Sequence, residues 1–296
     1  MRNKLLLFSV AILTAFGLSA CGQDAGSSTT STQGGTSSEV TSSSKEATSS
    51  SSSSSSSSEA TSSEEASDDT ATAGEILPLE YKIRQTNQYK YDDRYETDAI
   101  SNMEYDSLLI DEEKYPALEE SIEKLNDSIE EMIEKDYKNA TKMAKSDLKN
   151  IPEYFSGPYS VSKSIRVTRN DSEVLSLWVM DCGFTGGAHG YYSSVGHSYS
   201  VATGEELMLD DIIADKKAFI EVIENRLDDE YPHLSNLNDP NKVIKKQVKN
   251  DQLCWTLTNN GISILFNVYE LASYAEGAQS IDIYFDDEPE LFTGDY

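Results

Sequence analysis

Positive charge, histidine, cysteine and long apolar runs are all scarce in this chain, and each shortage removes a class of function. Lys and Arg number 24 against 52 Asp and Glu, a formal net charge of −28 at pH 7. That balance excludes nucleic acid as a partner, because phosphate backbones are bound by clustered Lys and Arg. It also argues against direct docking on anionic lipid. The three histidines are His189, His197 and His233. If Tyr191 to Val201 is a strand, His189 and His197 stand roughly 26 Å apart at about 3.3 Å per residue, too far to share a metal unless the chain folds back. The three cysteines, Cys21, Cys182 and Cys254, show no Cys/His zinc spacing. Cys182 and Cys254 lie in apolar strand-like runs. An exported protein either bridges such a pair or buries it as two thiols, and the sequence leaves both open. Neither Gly-x-Ser-x-Gly nor His-Glu-x-x-His occurs. The oxygen-rich run Asn236 to Asn241 contains Pro240 and lacks the twelve-residue calcium-loop pattern. No metal and no cofactor are therefore expected.

The longest apolar run, Leu5 to Leu18, has 14 residues, short of the about 20 that a bilayer span needs. Arg2 and Lys4 precede it and Leu18-Ser-Ala-Cys21 closes it. This is the layout of an export signal, and it resembles a bacterial lipobox with Cys21 as the lipidated residue. Two acyl chains on a diacylglyceryl-Cys21 are enough for stable anchoring. The expected location is the outer face of the cell membrane, exposed to the wall. Only Met1 to Lys4 precede the apolar run, so no function needing a cytoplasmic domain is expected. Residues 22–75 are Ser, Thr, Gly, Ala and acid, with an unbroken Ser49 to Ser58 and nine acids against Lys45. No apolar set there repays the entropy of ordering. The segment reads as a tether of roughly 40 Å r.m.s. span.

Residues 76–296 carry 43 acidic and 21 basic residues, a net of −22, and are long enough to bury a core. Leu79 to Arg84 and Ile100 to Ile110 alternate as strands and open an antiparallel sheet. Tyr115-Pro116 begins a helix reaching Asn150. Leu118, Ile122, Leu125, Ile129, Met132, Ile133, Tyr137, Ala140 and Ala144 form its apolar stripe. Tyr159 to Thr168, Val174 to Val179 and Tyr191 to Val201 read as three further strands, the second of them central. A helix follows over Lys216 to Glu230 with Asp215 as N-cap, then a shorter one from Pro240 to Lys249. Asn259-Asn260-Gly261 marks a hairpin between Leu253–Leu257 and Ile262–Val268, because its central residues tolerate positive φ. Tyr269 to Gln279 reads as a loop and Ser280 to Phe285 as the last strand. The expected fold is α+β: mostly antiparallel sheet packed by one long amphipathic helix and two shorter helices, the helices on one face.

Thr185-Gly-Gly-Ala-His189, Thr203-Gly-Glu-Glu-Leu207 with Leu209-Asp-Asp-Ile212, Trp255 to Gly261, Phe266, Tyr269-Glu-Leu271, Tyr274-Ala and Gly277 together resemble a family of bacterial extracytoplasmic domains, the RsiV-like domains. The strand pair before Tyr115-Pro116, and the long helix with Asn126 at its centre, are similar to the small domain of PdaC-type proteins. The resemblance implies an α+β fold, a surface location and, for RsiV-like proteins, binding of lysozyme, a small basic enzyme. The sigma-binding segment of the former family and the deacetylase domain of the latter, with its metal-binding His pair, have no counterpart in these residues. The expected organisation is a signal peptide at 1–20, a tether at 21–75, a PdaC-like domain at 76–155 and an RsiV-like domain at 156–296.

The expected function is partner binding without catalysis. Gly186, Gly187, Thr203 and Gly204 read as residues that shape strand connections, the glycines by positive φ or close backbone approach. His189 reads first as a structural hydrogen-bonding residue of that connection, and as a contact residue if a ligand binds there. Tyr191, Tyr192, Tyr269 and Tyr274 read either as sheet packing or as an aromatic binding surface. The partner expected on charge and resemblance is a cationic wall-active protein such as lysozyme. The alternative is a module for cell-wall glycan or peptide, with tyrosines stacking on sugar rings, and a wall-modifying hydrolase centred on His189 comes after both. Nothing in the residues indicates an oligomeric state.

Overall fold

The computed structural model describes residues 78–95, 99–234 and 237–294. The expectations placed on residues 1–75, including the signal peptide, the Cys21 anchor and the tether, lie outside the described residues.

Five strands form the first sheet: β1 (Tyr81–Lys90), β2 (Ser101–Ile110), β3 (Tyr159–Asn170), β4 (Val174–Phe184) and β5 (Tyr191–Ser200), in the spatial order of the sequence. Between β2 and β3 the chain makes α1 (Pro116–Asn150). A two-residue turn cannot join parallel strands, whereas a helical crossover can. Accordingly β2 and β3 pair in parallel, while every other neighbouring pair in this sheet is antiparallel. Val174 to Phe184 is buried at most positions, as expected of a strand with neighbours on both sides.

Leu118, Ile122, Leu125, Ile129, Ile133, Tyr137, Ala140, Ala144 and Leu148 of α1 are buried, and α1 packs on β2 and β3. Together with Met103, Tyr105, Tyr159, Val161, Ile165, Leu177 and Tyr199 they make the first core. Met132, read as part of the stripe, stays exposed. It follows Ile129 by three residues and precedes Ile133 by one, which puts it at the stripe's margin.

After β5 the chain makes α2 (Leu209–Ile212), α3 (Lys216–Glu230) and α4 (Pro240–Lys249), then a second sheet of β6 (Cys254–Thr258), β7 (Gly261–Phe266) and β8 (Gln279–Tyr284). The Asp215 carboxylate caps α3, accepting the N–H groups of Lys217 at 2.8 Å and Ala218 at 3.1 Å. The β6–β7 hairpin turns at Asn259–Asn260 as expected. Among the described residues, however, non-glycine positive φ falls at Asp251 and Tyr269, not at either asparagine. Phe219, Ile223, Leu227, Ile244 and Val248 cover Leu257, Ile262, Ile264, Phe266, Ile281 and Ile283 in a second core.

The helices therefore do not share one face of one sheet. Each sheet has its own helical cover, and β6 runs against β3, β4 and β5. That seam is polar. Ser176 and Ser198 hydroxyls bond each other at 2.6 Å, Ser176 Oγ accepts the Leu257 N–H at 2.9 Å, and Thr168 Oγ1 donates to the Leu257 carbonyl at 2.8 Å. At Gly196 a side chain would overlap the Trp255 carbonyl oxygen, so a glycine there admits β6. The expected division at 155/156 falls inside this arrangement: β2 and β3, from either side of it, are neighbours in one sheet, and both belong to one compact unit.

Candidate functional site

The site grows from the free side of β5. An edge strand exposes unpaired N–H and C=O groups, and here side chains from the second sheet and its loops fill that role. Asn267 Oδ1 accepts the Ser194 N–H at 2.7 Å and Asn267 Nδ2 donates to the Ser194 carbonyl at 3.1 Å, so one amide imitates a neighbouring strand residue. The Cys254 thiol donates to the same carbonyl at 3.0 Å. The segment Glu205–Leu207 completes the edge, with Leu207 N–H donating to the Ser198 carbonyl at 2.7 Å and Ser200 N–H to the Glu205 carbonyl at 3.0 Å. The same device recurs on β2, where Asn126 of α1 clasps both the N–H and the C=O of Leu108 at 2.9 and 2.8 Å.

Holding Asn267 against β5 fixes the loop that follows β7. The Asn267 N–H donates to Glu270 Oε2 at 2.8 Å, and Asn238 Nδ2 donates to the Tyr269 and Glu270 carbonyls at 3.1 and 2.8 Å. Tyr269 is thereby held at φ +70, a strained conformation for a bulky residue that surrounding contacts must impose. Burial pushes the Glu270 carboxyl above its ordinary range, against the bonds it accepts from Gln247 and the Asn267 backbone.

This loop meets the β4–β5 connection in an aromatic cluster. His189 and Tyr274 stack with ring centroids 4.5 Å apart and planes 4° from parallel. Tyr192 stands edge-on to Tyr274 at 5.9 Å, and Tyr269 leans on it at 5.9 Å. Tyr269 is 40 % exposed and forms the open side of the group. His189 Nδ1 lies 3.4 Å from the Gly190 carbonyl. Gly186 and Gly187, at φ +89 and +95, make the turn, and Gly186 leaves room for the Tyr159 hydroxyl.

Four of the five aromatic residues singled out in the sequence thus come together, and Tyr191 does not. Strand alternation sends it to the α1 side. It packs where Gly183 leaves space, near Asp181 and Asp136. Burial first and those two negative charges second raise its hydroxyl pKa. Lys163 sits in this pocket of charge, 2.8 Å from Asp181 and 3.7 Å from Asp136. Thr203 and Gly204 lie elsewhere too. Gly204 has φ +70 and presses on the Ala117 carbonyl at the start of α1, while Thr203 Oγ1 accepts the Glu205 N–H at 3.3 Å.

Beyond Asn267 along β5 a cleft of about 320 Å³ opens between Ser194–Ser198, Glu206–Leu209, Asp251–Trp255, Asn267 and Glu270. His197 Nδ1 and Glu206 Oε1, 2.7 Å apart, stand at its rim. Cys254 contributes a free thiol, so Cys182 and Cys254 do not bridge each other. Burial pushes that thiol up to about 12, and it serves as a donor rather than as a thiolate nucleophile. Among the described residues, no group of three His, Cys, Asp or Glu side chains could hold a metal ion. Sequence reasoning gave no role at this site to Asn267, Glu270, Cys254 or the His197–Glu206 pair. Asn267 and Cys254 reach partners 73 and 60 positions away in the chain, beyond any local pattern.

Residues 106–192 match the family model described as Deacetylase PdaC, and residues 210–286 match the model described as a protein of unknown function, DUF3298. The chain thus joins a PdaC-like part to a DUF3298, RsiV-like part. The Thr185 to His189 signature, read above with the C-terminal family, falls inside the PdaC match. Among solved structures, a DUF3298 family member from Bacteroides fragilis has 18% identity and a TM-score of 0.52, covering 74% of this chain and 96% of its own. A DUF3298 family protein from Pseudomonas aeruginosa PAO1 has 16% identity and a TM-score of 0.50, covering 73% and 95%. At such identities the likeness is one of fold. No curated protein matches the chain.

Proposed function

We propose that this is a lipid-anchored surface protein, held through Cys21, whose folded part binds an extracellular partner without chemistry of its own. The observation that carries the reading is the cluster of His189, Tyr192, Tyr269 and Tyr274, with Tyr269 exposed on a strained and tightly bonded turn. Rigid tyrosines supply contact area at little entropic cost, and such anchors dominate interface energies. The net −22 of residues 76–296 steers a cationic partner toward the surface. A small basic wall-active enzyme such as lysozyme fits both features. Retention of lysozyme on the immobilised full chain at moderate salt, with micromolar affinity, is the expected result. No retention at that concentration sinks the lysozyme version.

A wall-glycan module is the second reading, favoured by the stacked ring pair, since aromatic faces also bind sugar rings. Co-sedimentation with purified peptidoglycan, lost in Tyr269→Ala, selects it over the first.

A further inference from the structure

The opposite edge of the same sheet carries a second surface. β1 is exposed along nearly its whole length, and among the described residues no strand pairs with its outer side. Which backbone groups face outward follows from Leu108. Its N–H and C=O both go to Asn126 on α1, so they point away from β1. Its register partner is Ile83. In an antiparallel ladder the opposed pairs alternate between bonded and non-bonded, so Ile83 turns its own N–H and C=O to the free edge. By alternation Tyr81, Gln85, Asn87 and Tyr89 do the same.

Tyr81, Ile83 and Tyr89 also lie on one face of this strand and are exposed. Edge strands are ordinarily blunted by charge. The charges on β1 are Lys82, Arg84 and Lys90, with Glu80 just before it and no acid within it. Those positions discriminate among the ways two such strands could meet about a twofold axis, which makes an interface self-complementary. An axis at Thr86 sets Lys82 opposite Lys90, an axis at Asn87 sets Arg84 opposite Lys90, and an axis at Arg84 sets the two arginines together. An axis at Gln85 faces no like charges. It places Lys82 opposite Gln88, Arg84 opposite Thr86, Lys90 beyond the partner's first β1 residue and Tyr81 opposite Tyr89. It also makes the outward-facing residues, Gln85 with Gln85 and Ile83 with Asn87, the bonded pairs. Like charges opposite one another destabilise a ladder, while opposite charges and aromatic pairs favour it.

We propose that β1 is a homodimerisation edge: two copies of this chain pair their β1 strands antiparallel about Gln85 and join the two five-stranded sheets. The register defines the test. Sedimentation velocity of the full chain in detergent, at micromolar and higher concentrations, gives a monomer–dimer equilibrium. Gln85→Pro removes an outward N–H without touching the β1–β2 ladder, and it abolishes the dimer. Gln88→Lys sets a second lysine opposite Lys82 at both symmetry-related places across the axis and weakens association about tenfold. Gln88→Glu strengthens it. Unchanged thermal midpoints of the variants at low concentration show that they are folded. A wild-type chain that stays monomeric throughout overturns the proposal, as does a dimer that survives Gln85→Pro or is weakened by Gln88→Glu. Slow amide exchange at Ile83 and Gln85 in a monomeric wild type also overturns it, because the edge is then filled by the chain itself.

Discussion

At one edge of the five-stranded sheet, Ser194, Ser198 and Ser200 find partners for outward backbone groups in Asn267, Cys254, Leu207 and Glu205. At the other edge, no strand among the described residues pairs with the outward side of β1, whose residues are exposed along nearly its whole length. The first arrangement is intolerant. Two of its plugs, Asn267 and Cys254, come from segments 73 and 60 positions away in sequence, and the loop that Asn267 opens carries Tyr269 and Tyr274 of the aromatic cluster. Breaking the plug therefore disturbs core packing and presentation together. The second arrangement is permissive, since β1 contributes ladder bonds inward and exposed side chains outward. One sheet thus separates a rigid, built surface from a plain strand edge.

This contrast is broken most severely at Gly196, where any side chain runs into the Trp255 carbonyl. Gly196→Val is expected to cost about 3 kcal/mol or more in urea denaturation, because β6 must move off β5. Next comes Asn267→Ala, which leaves the Ser194 N–H unpartnered and costs about 2 kcal/mol. Faster amide exchange at Ser194 is the local readout. Exposed positions on β1 set the lower bound: at concentrations low enough that the chain is monomeric, Tyr89→Ala is expected to stay within about 0.5 kcal/mol of wild type. A loss above that range would show that the two edges do not differ in the way described.

Glu270 offers a pH test of the closed edge. Its folded-state pKa is raised by burial, so its contribution is fully present below the unfolded value near 4.5 and is lost as pH rises through the folded pKa. Glu270→Gln keeps an acceptor for the Asn267 N–H and carries no charge. The variant is therefore expected to gain on wild type between acid and neutral pH. Asp181 is raised in the same direction by its own burial, but it is common to both proteins and cancels in the difference. A difference that does not vary with pH contradicts this account of Glu270.

The elements that could be read from sequence are those with a local cause. Pro116 and the stripe from Leu118 to Ala144 located α1, Asp215 located the start of α3, and alternation located β1, β3 and β6, while a continuous apolar run located β4. The glycines at 186, 187 and 204 were legible because positive φ has few other solutions. What escaped was everything decided by pairing between distant segments. The parallel β2–β3 pair, the second sheet standing against the first, and the amide plugs at Leu108 and Ser194 leave no periodic mark. Within the cluster, the residue types pointed to tyrosines, but strand alternation divided Tyr191 from Tyr192. Tyr269 needed a turn geometry that neither its side chain nor its neighbours announce.

The central claim is that the aromatic cluster beside the closed edge, and not the tyrosines of the open one, is the binding surface. Titration calorimetry of lysozyme into the full chain, compared among wild type, Tyr269→Ala/Tyr274→Ala and Tyr81→Ala/Tyr89→Ala, tests it directly. A loss of about 2 kcal/mol or more is expected in the first double variant, with unchanged affinity in the second. Equal affinities in all three, or a loss confined to the second, would contradict it.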